Sequence, residues 1–131
     1  MANETKSTPK SVLVIDDDQD IVVVLEEFLK ESGYDVAVAY DGIDALSHIH
    51  SRLYDAVICD MMMPRMSGEE LYNEVERSEP GMTRRFVFIT GMSRVSDVQR
   101  FFHQKDLRHL DKPFHPEDVL QMVKEIIQEN K

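Results

Sequence analysis

The most constraining feature of this 131-residue chain is a fivefold alternation of short apolar runs with longer segments whose apolar residues recur at helical spacing. The apolar runs are residues 11–15, 34–39, 56–59, 86–89 and 107–110. Apart from Ser11 the first run is apolar throughout, as expected for a strand that is covered on both faces. Five successive strand–helix units predict an α/β fold with a parallel sheet between two layers of helices and right-handed crossovers.

The helical segments are bounded by residues that favour helix ends. Gly33 is placed to end the first helix, Ser67 and Glu70 have the spacing of a capping box, and Pro116 fits the first turn of the last helix. The apolar positions that define the five helices are Ile21, Leu25, Phe28 and Leu29; Leu46, Ile49 and Leu53; Leu71 and Val75; Val95, Val98, Phe101 and Phe102; and Val119, Met122, Val123, Ile126 and Ile127. The pattern leaves the strand order open, but the doubly wound, flavodoxin-like order 2-1-3-4-5 is a common solution for five units.

The length fits one compact domain, which we expect to occupy residues 11–131. Residues 1–10 lack periodicity and predict a flexible N-terminal tail. No sequence remains for a second domain, so a single-domain protein is expected. Because the chain has no apolar run of roughly 20 residues and no signal-peptide core, we expect a cytoplasmic location without membrane contact.

Charge and cysteine content exclude several classes of function. The formal net charge is -10 and no dense Lys/Arg cluster interrupts it, which argues against direct nucleic-acid binding. The single cysteine, Cys59, rules out a disulfide within the chain and a cysteine metal site. Since Cys59 lies within an apolar run, we expect it to be buried.

Polar residues stand at the ends of four apolar runs: Asp16, Asp17, Asp60, Thr90 and Lys112. In an open parallel sheet, the groups that touch ligand lie just beyond the carboxyl ends of the strands. Three carboxylates, a hydroxyl and an ammonium are therefore predicted to share one pocket.

The adjacent carboxylates of Asp16 and Asp17 repel each other, and such a pair is tolerated most easily beside a cation. Oxygen ligands with partial hydration suit Mg²⁺. Two other interpretations remain at this point. The acids could instead cap the following helix. A calcium-binding loop is disfavoured, because Ile21 stands where that loop needs glycine and a strand precedes it in place of a helix.

A lone acid after a strand, such as Asp60, is often only a turn residue. Close to a metal it becomes a candidate phosphoryl acceptor, because acyl phosphates form on Asp and their formation depends on positioning and charge neutralisation. Lys112 would add positive charge, and the Thr90 hydroxyl could donate to a phosphoryl oxygen. Taken alone, Thr90 and Lys112 are as readily a strand residue and a solvated lysine. Pro113 suggests a cis peptide in the last of these loops.

The four strand ends together resemble the four signature blocks of the two-component response-regulator receiver domain, of the CheY-like kind. The blocks are VIDDD at residues 14–18, DMMMPRMSG at 60–68, FITG at 88–91 and DKPF at 111–114, and the resemblance covers about residues 11–130. It implies that Asp60 is the phosphoacceptor, Thr90 the switch hydroxyl and Lys112 the active-site lysine.

The resemblance also implies a Mg²⁺ site. Asp17 and Asp60 would bind the ion directly, Asp16 through water, and Met62 through its backbone carbonyl.

Two of the features that depart from the family pattern bear on the proposed site. His109 stands three residues before Lys112, where a Tyr or Phe often rotates inward on activation; a His can stack similarly and adds pH sensitivity. Met62 and Met92 are apolar at positions where fast-hydrolysing family members often carry polar groups. They predict poorly oriented water and slow loss of the phosphoryl group.

The function implied by the resemblance is a phosphorylation-dependent switch in a His-Asp phosphorelay. A sensor histidine kinase or phosphotransfer protein would donate the phosphoryl group to Asp60, and the added charge would draw Thr90 inward and alter binding to a downstream protein. The chain would be a monomer or a phosphorylation-dependent dimer. Its only enzymatic features would be self-assisted transfer and slow autodephosphorylation.

Two alternatives come from other classes. One is an interaction module of the same fold that works without phosphorylation. The other is a Mg²⁺-dependent phosphohydrolase with Asp16 and Asp18 as nucleophile and acid, which leaves Asp60 without a role.

Overall fold

A computed structural model describes residues 9–91 and 94–130, and within them five strands alternate with five α-helices. The elements are β1 Ser11–Ile15, α1 Gln19–Glu31, β2 Asp35–Ala39, α2 Gly42–Ser51, β3 Ala56–Asp60, α3 Gly68–Ser78, β4 Phe86–Thr90, α4 Ser96–Lys105, β5 Arg108–Asp111 and α5 Pro116–Glu129. A 3-10 helix, Pro80–Arg85, joins α3 to β4 and was not predicted. Most of the predicted tail, residues 1–8, lies outside the described residues.

All neighbouring strands are parallel and their order is β2-β1-β3-β4-β5, which confirms the flavodoxin-like arrangement. The register aligns the carboxyl ends of the strands. Ile15 pairs with Cys59 across β1 and β3, and Thr90 pairs with Asp111 across β4 and β5. The residues that follow four of the strands therefore emerge at one edge of the sheet.

Apolar side chains fill both faces of the sheet, because successive residues of a strand point to opposite sides. Leu13 and Ile15 of β1 belong to the cluster that also contains buried residues of α2, α3 and α4. Val12 and Val14 belong to the cluster that contains buried residues of α1 and α5. The doubly wound prediction is confirmed, and Cys59 is fully buried as expected.

The helix ends agree with the predicted signals at all three positions, and α5 begins at Pro116 as expected. Gly33 has a φ of 98° where the chain leaves α1, a conformation that glycine adopts without steric cost. The capping box is present at Ser67 and Glu70, and each residue's backbone N–H donates to the other's side chain.

Two predicted core positions are wrong, and one of them, Val95, precedes α4 as its N-cap residue and is 41% exposed. The other, Leu53, lies beyond the end of α2 and is 69% exposed. The helix ends at Ser51 because Arg52 is extended, with a φ of -164°. Tyr54, which is almost fully buried, takes the core position in its place.

No helix among the described residues is both long enough and apolar enough to cross a membrane.

Candidate functional site

Three carboxylates meet at the carboxyl edge of the sheet. Asp16 directly follows β1, Asp17 is the next residue and Asp60 ends β3. One carboxylate oxygen from each of the three lies within 4.8 Å of the others. Asp16 and Asp60 are only 2% and 5% exposed, whereas Asp17 is open to solvent. The structure brings these residues together as the strand-end pattern predicts.

Lys112 joins the cluster from the loop after β5. Its Nζ lies 3.3 Å from Asp16 Oδ2 and 3.3 Å from Asp60 Oδ1. The backbone holds this loop in place, because Lys112 N–H donates to the carbonyl of Thr90 at 2.9 Å. The following peptide bond, Lys112-Pro113, is cis as suggested.

The protonation of the buried acids follows from their surroundings. Burial raises the pKa of Asp60 to about 6; the Asp16 charge adds to this rise and the Lys112 ammonium opposes it. Burial also raises the pKa of Asp16, although the backbone N–H of Asp18, at 2.9 Å, stabilises its charged form. Burial opposes the charge on Lys112, but Asp60 and Asp16 together raise its pKa. The ammonium only partly balances the three carboxylates, so the site favours a further cation.

Asp18 has a different role from its two neighbours. Its Oδ1 accepts hydrogen bonds from the backbone N–H groups of Asp20 at 3.0 Å and Ile21 at 3.4 Å, and so caps α1. The cap is therefore made by Asp18, and the interpretation of Asp16 and Asp17 as capping residues is wrong, since both belong to the acidic cluster. A phosphohydrolase that uses Asp18 as its acid would have to break this cap.

The loop between β3 and α3 lies beside the cluster. It is fixed near Asp60, where Met61 N–H donates to the carbonyl of Ile89 at 3.3 Å and Gly68 N–H donates to the carbonyl of Met61 at 2.8 Å. A Cβ on Gly68 would lie 2.6 Å from the Asp60 carbonyl oxygen, so only glycine fits at the start of α3. The Met62 side chain is 55% exposed. Met92, the second predicted apolar neighbour, lies outside the described residues.

The two predicted switch residues occupy different environments. Thr90 is buried at the end of β4. His109 is exposed on β5, where its ring stacks on Phe102 of α4 with 4.3 Å between centroids and 12° between planes. The predicted ability of His109 to stack is confirmed, and the stacking partner lies on α4.

An apolar groove beside Lys112 was missed by sequence reasoning. It has a volume of about 510 Å³ and is lined by Asp20, Ile21, Val24, Lys112, Pro113, Phe114 and Pro116. Val23 and Val24 are about half exposed. The signal was available: the run Ile21 to Leu25 contains five apolar residues, more than one buried helix face requires.

The chain belongs to the response regulator receiver domain family, whose sequence model matches residues 12–124. Among curated relatives, it is 30% identical over 113 residues to the transcriptional regulatory protein DltR of Streptococcus agalactiae serotype III (strain NEM316). That match covers 86% of this chain and 50% of DltR, so the chain spans about half the length of this relative.

Solved structures agree with this assignment. A CheY-like receiver domain protein from Methanospirillum hungatei JF-1 matches with a TM-score of 0.86 and 27% identity, over 94% of this chain and 97% of that one. The response regulator protein TrrA from Thermotoga maritima, solved in complex with Mg(2+)-BeF, matches with a TM-score of 0.76 and 30% identity, over 89% and 98% of the two chains. The chain is thus a receiver domain of the two-component response regulators, as its four sequence blocks predict.

Proposed function

We propose that Asp60 accepts a phosphoryl group from the phosphohistidine of a sensor kinase or phosphotransfer protein, and that residues 11–131 act as the receiver of a His-Asp phosphorelay. One observation carries the proposal. The buried Asp60 carboxylate lies 3.3 Å from the Lys112 ammonium and within 4.8 Å of oxygens of Asp16 and Asp17. This arrangement can neutralise charge around a transferring phosphoryl group.

In the transfer step, an ionised oxygen of Asp60 attacks the phosphorus while the P–N bond to the donor imidazole breaks. The donor nitrogen keeps the electron pair of that bond, and an imidazole protonated at its other nitrogen leaves as the neutral ring. Lys112 is placed to pair with a phosphoryl oxygen as its contact with the Asp60 carboxylate changes. Asp60 has to be ionised to attack; burial raises its pKa to about 6 in the metal-free chain, and a bound cation would lower this pKa and favour the ionised form.

The acidic cluster fits Mg²⁺, since hard oxygen donors suit this ion and the three carboxylates outweigh the Lys112 charge. We assign Asp17 and Asp60 as direct ligands, Asp16 as a ligand through water and the Met62 carbonyl as the backbone ligand. When bound, the ion supplies positive charge that stabilises the phosphoryl oxygens in the transition state. The relative TrrA was solved in complex with Mg(2+)-BeF, which supports a Mg²⁺ site in this chain but does not identify its ligands.

The output is proposed to be a change in protein binding, through a monomer or a phosphorylation-dependent dimer and without direct nucleic-acid contact. Thr90 would donate its hydroxyl to the phosphoryl group, and His109 would respond through its stack on Phe102. Backbone amide NMR spectra should then change in α4 and β5 after phosphorylation of the wild type and much less in Thr90→Ala. Equal changes in both proteins would rule out the role of Thr90.

The phosphodonor is proposed to be a protein, because the apolar groove between α1 and the loop after β5 opens beside Lys112. Exposed apolar surface next to a polar site is typical of a protein-binding region. The groove would hold part of the donor while its phosphohistidine reaches Asp60.

The test is intact mass spectrometry after incubation with acetyl phosphate and MgCl₂. We expect one phosphoryl adduct on the wild type. No adduct should form when EDTA is present from the start, and none should form on Asp60→Asn. The matched control is Asp35→Asn, which removes an exposed carboxylate at the opposite edge of the sheet and should still form the adduct. An adduct on Asp60→Asn, or none on the wild type with any donor, would contradict the proposal.

A further inference from the structure

The loop between β3 and α3 contains a non-glycine residue in the left-handed backbone region. Arg65 has a φ of 68°, a conformation that glycine adopts freely and that other L-residues adopt only at a steric cost. A side chain kept at such a position is expected to make an interaction that glycine cannot make. The Arg65 guanidinium pairs with the Asp41 carboxylate, 24 residues earlier in the chain.

Asp41 uses its two carboxylate oxygens for different partners. Oδ1 accepts a hydrogen bond from the backbone N–H of Asp44 at 2.8 Å and so caps α2. Oδ2 pairs with Arg65. The carboxylate is only 17% exposed, so the start of α2 holds it in place for the arginine. One oxygen can therefore be altered while the helix cap is kept.

A second contact lies next to this ion pair. A Cβ on Gly42, the first residue of α2, would lie 2.7 Å from the Met66 Cβ and 2.8 Å from the Met66 carbonyl oxygen. Met66 also packs against the core cluster that includes residues of α2. Two consecutive loop residues, Arg65 and Met66, thus contact two consecutive residues at the start of α2.

The loop is held at its other end by the backbone of Met61, which bonds to Ile89 and Gly68. Residues 62–64 lie between these two attachments. The proposed carbonyl ligand, Met62, is in this short span, three residues before Arg65. The direction of its carbonyl therefore depends on where both ends of the span are held.

We infer that the Asp41–Arg65 pair is a positioning device for the metal site: it holds the loop against α2, so that the Met62 carbonyl faces the carboxylates and Mg²⁺ affinity is set in part from outside the site. This inference rests on the proposed function, because it presupposes that Mg²⁺ binds at the acidic cluster. Neither Asp41 nor Arg65 belongs to the proposed ligand set, so both are positioning residues.

The test is a Mg²⁺ titration followed by amide NMR at constant ionic strength. We expect Arg65→Gln to raise the Kd about threefold, the scale of an exposed ion pair, and Arg65→Lys to stay near the wild type. The direction of the change in Kd distinguishes a positioning role of Arg65 from a purely electrostatic one. If Arg65 acted only through its charge, removing that charge beside an acidic site would tighten Mg²⁺ binding.

Three further variants sharpen the test. Asp41→Asn keeps the oxygen that caps α2 and should also raise the Kd about threefold. The double variant should be no weaker than either single one, because both changes break the same pair. Arg65→Gly removes the guanidinium and relieves the backbone strain, so it should fold at least as well as Arg65→Gln while still binding Mg²⁺ more weakly.

Arg77→Gln is the matched control, since Arg77 is an exposed arginine that pairs with Glu74 on α3, and its Kd should not change. Unchanged or tighter binding in Arg65→Gln, or additive losses in the double variant, would overturn the inference alone. A wild type without saturable Mg²⁺ binding would overturn the proposed function and this inference with it.

Discussion

At the scale of single residues, the proposed phosphoacceptor, Asp60, is a carboxylate whose charged form is buried at a cost in folding free energy. Asp60 has a pKa of about 6 in the folded chain, above the ordinary value of 3.8, chiefly because it is buried. The folded state therefore holds this proton more tightly than the unfolded state does. Stability is lost as the pH rises between these two values, and the loss is complete above about pH 6.

Asp60→Asn should therefore stabilise the Mg²⁺-free protein at pH 7. The difference between the pKa values of 3.8 and about 6 corresponds to about 2 to 3 kcal/mol in the free energy of unfolding. Most of this stabilisation should disappear near pH 4. Urea unfolding at both pH values measures it. Asp35→Asn, which removes an exposed carboxylate, should change stability little at either pH. A destabilised Asp60→Asn at pH 7 would show that the Lys112 contacts outweigh burial.

Met62 bears on how long the phosphoryl group lasts. Its side chain is apolar and 55% exposed, two residues after Asp60, so it offers no polar group to orient an attacking water. Met62→Asn should speed the loss of aspartyl phosphate about three- to tenfold, since it supplies such a group. The decay of the phosphorylated mass measures this rate. The control is Leu53→Asn, which changes an exposed apolar residue outside the site. Equal rates of phosphoryl loss in the wild type, Met62→Asn and Leu53→Asn would refute the role of Met62.

At the scale of elements, α1 contributes apolar residues both to the core and to the exposed groove. Its buried residues pack on the sheet, while Val24, 51% exposed, lines the groove beside Lys112. Val24→Asp should slow phosphotransfer from a protein donor about tenfold, the scale of one important interface residue. Labelling by acetyl phosphate should be unchanged. Leu53→Asp is the matched control, and equal slowing with both donors would place the defect in the site rather than in docking.

The elements differ in how well their sequences predict them. β1, β3 and β4 are evident because both of their faces are covered and their residues are almost all apolar. β5 is harder to delimit, because its residues alternate between half-buried and exposed. The prediction for Leu53 is wrong because helical spacing of apolar residues continues to Leu53, two residues past the end of α2 at Ser51, although Arg52 is already extended. A backbone change of this kind does not alter the spacing of apolar residues in the sequence, so the spacing cannot reveal it.

The candidate site was predictable for a topological reason. Parallel strands bring their carboxyl ends to one edge, so polar residues that end separate runs had to become neighbours. The Asp41–Arg65 pair was not predictable in this way. It joins two loops that are 24 residues apart, and it depends on a left-handed backbone at Arg65 that an arginine gives no reason to expect.

At the scale of the whole molecule, metal binding and folding should be coupled. An ion that binds only the folded acidic cluster stabilises the entire domain. At a Mg²⁺ concentration ten times the Kd, the gain should be about 1.4 kcal/mol. Thermal unfolding at constant ionic strength, with NaCl replacing MgCl₂ in the control, measures it. Asp17→Asn should lose most of the gain, and an equal gain in that variant would place the ion elsewhere.

The position of β3 in the sheet has a consequence for how a signal could leave this domain. β3 is the central strand of the five, with two strands on each side of it, and its last residue is Asp60. The proposed acceptor thus ends the central strand of the sheet, while β5 is a four-residue strand with a partner on one side only. We expect the backbone at Asp60 to move little on phosphorylation, so that the conformational change appears mainly at the edge of the sheet, around β5.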